Sequence, residues 1–158
     1  MYLERVLEDD QAVRDSEESA RITMQYGRNS KENRDYVEKQ WRMDELNLFK
    51  IESYISIFGY PSKAELGEIA ALAPWIVIHH STEMDVRNRN FKHLYKAYLD
   101  GNTDDNALVM YLNRSYRMTF REDFYIESPF KAEDEINGLI NALDFNQVKE
   151  EVLKKSNS

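Results

Sequence analysis

Apolar residues recur at intervals of three and four along this chain, between glycines at Gly27, Gly59 and Gly101, and no strict alternation runs long enough to mark a strand. The pattern predicts helices at about 2–26, 31–58, 63–80, 83–100, 104–120, 130–144 and 146–154. Leu66 to His80 stands apart, because it is apolar on every side. A helix of that kind belongs inside. The expected fold is therefore an all-α, single-domain multi-helix bundle around a central buried helix at about 63–80.

Each expected helix has a stripe and a start signal. The first carries Leu3, Val6, Leu7, Val13 and Met24 on one face, and the second Val37, Trp41, Leu48, Ile51, Ile55 and Phe58. Ser30 and Thr82 are expected caps, Ser62 with Glu65 forms a capping box, Ser128-Pro129 signals a start, and Asn146 caps the last turn. Pro74 removes one backbone bond and is expected to kink the central helix. Phe124-Tyr125-Ile126, within a short segment at about 122–130, reads equally as a short strand or as an irregular apolar loop. The chain from Lys154 to Ser158 is expected to fray.

Some polar residues interrupt these stripes, where burying them carries a cost. Asp10 and Arg14 lie one turn apart in the first stripe, at the spacing of an ion pair. Asp44 falls at the centre of the second, with Asn47 at its edge. His80 projects with the aliphatic residues of the central helix, where an imidazole beside a carboxylate suits acid-base chemistry. Asn88 lies among the inward residues of the fourth helix, and Arg114 lies between Met110 and Met118 on the fifth. His93 points away from its helix's apolar face, toward solvent, whereas Phe91, Tyr95, Tyr98 and Tyr111 are mainly core or the lining of a groove.

Composition narrows the choice of function. A formal charge of -8 argues against a surface that tracks nucleic-acid phosphates. The longest apolar run, Ile69 to Ile78, is too short to span a membrane, and no leader segment is expected at Met1. Zero cysteines fits a reducing, cytoplasmic setting. Phosphate loops, nucleophile elbows and zinc helices are missing, and no cofactor is expected. His79 and Glu83 have the spacing of a two-ligand metal clip, but two ligands do not make a site.

Several of these residues also fall in a recognisable order. Asp10-Gln11-Ala12-Val13-Arg14, then Asp44 with Asn47, then Gly59-Tyr60-Pro61 with Gly67, then Trp75 followed by aliphatics and His79-His80 resemble a family of uncharacterised bacterial proteins, a domain of unknown function. That family shows Asp-Gln-x-x-Arg, Asp-x-x-Asn, a Gly-aromatic-Pro turn, and Trp-aliphatic-Gln-His. The chain is divergent: His79 replaces a glutamine, Thr82 an aspartate and Asn88 a glutamine, and Tyr111-Leu112-Asn113-Arg114 keeps only the arginine of Leu-Thr-Asp-Arg. A Tyr-Gly-Thr-Gln segment expected soon afterwards is absent. The resemblance implies a helical fold and supplies no activity.

The best expectation is a non-enzymatic module that holds a small polar ligand or a protein partner at Asp10, Arg14, Asp44, Asn47, His80, Asn88 and Arg114. One alternative is a hydrolase-like enzyme with His80 as general base, oriented by Asp44. The other is a purely structural polar cluster.

Overall fold

The computed structural model describes residues 1–127 and 131–157. Helix α1 (Tyr2–Ala12) and helix α2 (Ser16–Tyr26) stand where one helix was expected at 2–26. The carboxylate of Asp15 accepts from the amides of Glu17 and Glu18 at 2.9 and 3.0 Å, which starts a new helix. The Tyr36 hydroxyl pins the break by donating to the Asp15 carbonyl at 2.9 Å. The two stripes therefore part: Leu3 and Val6 are buried, but Met24 is 88% exposed.

Helix α3 (Lys31–Phe58) runs as expected, with the Ser30 hydroxyl accepting from the Asn33 amide. Ile51 and Ile55 are buried, whereas Trp41 and Phe58, expected on the same stripe, lie mostly in solvent. The expected central helix is two helices, α4 (Lys63–Leu66) and α5 (Glu68–His80). Gly67 parts them with φ 87° and ψ 167°, a conformation open mainly to glycine. Ser62 makes no side-chain cap; the Lys63 amide donates instead to Asn102 Oδ1 at 2.8 Å. Pro74 lies inside α5 without ending it.

Helix α6 (Met84–Leu99) begins after Glu83, and Thr82 is not its cap. Helix α7 (Asp105–Phe120) is capped by Asp104, which accepts from the Ala107 amide. Residues 121–127 form no strand and settle the ambiguity there as irregular chain. Phe124 lies so close to Gly138 that a Cβ at that glycine would meet the ring at 2.8 Å. The Ser128-Pro129 signal lies outside the described residues. Helix α8 (Ala132–Ala142) and helix α9 (Asn146–Ser156) complete the chain. Phe145, not Asn146, is the N-cap of α9, and that helix stays regular to Ser156 rather than fraying from Lys154.

Helix α5 packs against α1, α3, α4 and α6, while α6 and α7 join it to α8 and α9. One apolar cluster runs from Leu3 through Ile78 and Leu112 to Val152. Encirclement of α5 is incomplete, because Ile69 and Leu72 on its first turns are exposed. Phe91, Tyr95 and Tyr111 are buried core rather than the lining of a groove; Phe91 stacks on Phe145 at 4.4 Å. No helix of the described residues is long and apolar enough to cross a membrane.

Candidate functional site

The C-terminal turn of α5 meets the last turn of α1 and the middle of α3. Asp10 sits at the centre of this meeting point and is 1% exposed. Its carboxylate accepts from Gln11 Nε2 at 2.8 Å, contacts Arg14 Nη1 at 3.2 Å and lies 3.1 Å from His80 Nδ1. Arg14 reaches across to α3, where its Nη2 meets Asp44 Oδ1 at 2.7 Å. Its Nη1 also donates to the Asp10 carbonyl at 2.8 Å, so the guanidinium joins α1 to α3. Charged groups taken partly out of water hold together only if paired in this way.

The partner of His80 differs from the expected one. Asp10, not Asp44, orients the imidazole, because the last turn of α5 packs against α1. A carboxylate oxygen accepts, so the contact runs from a proton on Nδ1 of His80 to Asp10. Nε2 has no hydrogen-bond partner among the described residues.

Above this cluster opens a cleft of about 450 Å³. Arg14, Asp44 and His80 form part of its wall, with Leu48 and Val77 as apolar lining and Trp41, Glu45 and Glu83 also lining it. Arg114 of α7 closes one side and donates to the His80 carbonyl at 3.5 Å. Among the described residues it has no carboxylate partner. Burial lowers its affinity for a proton, and the neighbouring charges of Arg14 and Arg117 act in the same direction. Arg114 is thus a cation short of counter-charge at the edge of an open space.

Two expected members fall elsewhere. Asn88 is exposed on the outer face of α6 and does not join the cluster. Asn47 is not at an edge; it is fully buried one turn below Asp44, and its amide nitrogen and oxygen have no hydrogen-bond partner among the described residues. No group of three or more potential metal ligands occurs among the described residues, so none gathers around His79 and Glu83. Instead His79 stacks on Trp75 with ring centroids 4.7 Å apart, and its buried Nδ1 is unpartnered. Desolvation, helped by Arg87, Arg114 and His80, pushes its pKa down to about 3. His93 is half-buried rather than solvated, and burial lowers its pKa too.

Sequence reasoning missed Arg87, which is fully buried. Its guanidinium donates to the carbonyls of His79 at 2.8 Å, Ser81 at 3.2 Å and Tyr111 at 2.7 Å, and to Ser115 Oγ at 2.8 Å. It lies 4.4 Å from the centroid of the Tyr111 ring. Among the described residues no carboxylate pairs with it; carbonyl dipoles and a ring face stabilise its charge instead. Arg87 fixes the chain from His79 to Ser81, and so the floor of the cleft. The signal was available, since residue 87 lies three after Met84 and four before Phe91, on the inward face that Asn88 just misses.

Fold and site together define an all-helical protein with an ion-paired cluster beneath an open polar cleft. No family model, no curated protein and no solved structure matches the chain.

Proposed function

We propose that the chain is a binding module that takes a small polar ligand in the cleft at the end of α5, with Arg114 anchoring a negatively charged group. The observation that carries this reading is the guanidinium of Arg114, without a carboxylate partner among the described residues, beside an open space of about 450 Å³. Pockets of this size hold small molecules. A cluster made only to specify packing has no need of a half-buried cation facing outward, whereas Arg87 shows how this chain satisfies a guanidinium meant for structure alone. The resemblance to a bacterial family of unknown function agrees on Asp10, Arg14, Asp44 and His80, and the absence of cysteine from the sequence suits a bacterial cytoplasm.

Hydrolysis is the second reading, and the Asp10–His80 contact at 3.1 Å favours it. A carboxylate that orients an imidazole in the wall of a cleft is the arrangement of a general base. It ranks second because the lining offers only the ordinary hydroxyls of Ser81 and Thr82, neither of them bonded to that imidazole.

Calorimetric titration of the chain with small molecules that bear a carboxylate, free amino acids included, and with inorganic phosphate tests the binding reading. Saturable heat is expected with at least one of them, weakened tenfold or more in Arg114→Ala. Heat left unchanged by that substitution would overturn it.

A further inference from the structure

The charges around the cleft narrow its ligand, on the premise that the binding reading above holds. We infer that the ligand is a zwitterion, a free amino acid or a short peptide, whose carboxylate meets Arg114 and whose ammonium meets Glu45 and the face of Trp41.

A simple anion fits this lining poorly. Arg14 is already committed to Asp10 and Asp44, which leaves Arg114 as the one cation of the lining without a carboxylate among the described residues. Against it stand Glu45 and Glu83, two exposed carboxylates of the same lining that enter no ion pair among the described residues. A phosphate or a dicarboxylate drawn to Arg114 would be repelled by both. A simple cation drawn to the glutamates would be repelled by Arg114. Only a ligand carrying both signs satisfies the two ends together.

The ammonium end has a second feature. Trp41 and Glu45 are four residues apart on α3, so the indole and the carboxylate are neighbours on one helix face. Trp41 is 66% exposed, although it is the kind of residue that a stable core normally claims. An indole face beside a carboxylate attracts an ammonium by both its quadrupole and the adjacent charge. Leu48 and Val77 supply apolar wall for a ligand side chain, and a space of about 450 Å³ holds an amino acid or a dipeptide.

The test uses the full chain and four matched probes: L-leucine and leucyl-leucine as zwitterions, N-acetyl-L-leucine as the carboxylate alone, and L-leucinamide as the amine alone. Titration calorimetry is expected to show binding of at least one zwitterion, with each single-ended probe at least tenfold weaker. Arg114→Ala is expected to remove the advantage of the zwitterion over the amide. Glu45→Gln, an exposed change that leaves the fold intact, is expected to remove its advantage over the N-acetyl form. Equal affinity for N-acetyl-L-leucine and the zwitterions, unaffected by Glu45→Gln, would overturn the zwitterion and leave an anion-binding cleft standing. No heat from any of these probes or from inorganic phosphate would overturn both.

Discussion

Single residues carry much of this account, and Asp10 carries most. Three side chains meet its buried carboxylate, so Asp10→Ala takes the carboxylate from His80 and leaves Arg14 paired with Asp44 alone. Breaking such a pair costs about 3 kcal/mol, and a urea titration is expected to register a loss of that order. Asn47 makes the opposite case. Its amide is buried with no hydrogen-bond partner among the described residues, so Asn47→Leu, which keeps the branched outline and removes both polar atoms, is expected to raise stability by about 1 kcal/mol in the same measurement. His79 gives the pH dependence. Its folded pKa of about 3 lies below the ordinary histidine value near 6.5. The unfolded chain therefore binds a proton in that window that the folded chain refuses, and stability falls as pH drops from about 6.5 toward 3. Glu52, whose carboxylate Arg89 holds below its usual range, adds to the loss in acid. Thermal melts from pH 7 to pH 4 are expected to fall less steeply in His79→Gln than in the parent. Asp10 and His80 were legible as polar interruptions of apolar faces, but their pairing was not, because a helical wheel says which way a residue points and not which neighbour it meets.

Helix identity was largely written in the periodicity; helix continuity was not. The stripe from Leu3 to Met24 continues across Asp15, and only the three-dimensional course of the chain shows that this carboxylate captures two amides and starts α2. The break at Gly67 was equally hidden, since a lone glycine within an apolar run does not announce its backbone angles. It is testable directly. A Cβ at Gly67 meets nothing within 4 Å, so the whole cost of Gly67→Ala is conformational. Holding alanine at φ 87° is expected to cost about 1–3 kcal/mol, read from chemical denaturation. Arg87 has the same lesson from the other side. Its place on the inward face of α6 is visible in the sequence, yet a long cation there reads as an intrusion until three backbone carbonyls and Ser115 are seen around it.

For the molecule as a whole, the formal charge of -8 suggests a surface with no appetite for anions, and the fold shows how one anion-seeking point is nevertheless kept. Arg114 arrives from α7 at a corner where Asp10 and Asp44 are already paired with Arg14, so among the described residues its guanidinium lines the cleft without a carboxylate partner. Trp41, expected in the core, is freed for the same reason: below it α3 packs inward through Leu48, Ile51 and Ile55, while its own turn stands clear. The position of the indole makes it a reporter. The most direct measurement of a ligand seated between Trp41 and Arg114 is the Trp41 emission during titration with the tightest-binding zwitterion. The account predicts a saturable change with the calorimetric Kd, lost in Trp41→Phe, and much weaker binding in Arg114→Ala. Saturable heat with unchanged indole emission in the parent chain would place the ligand elsewhere and contradict it.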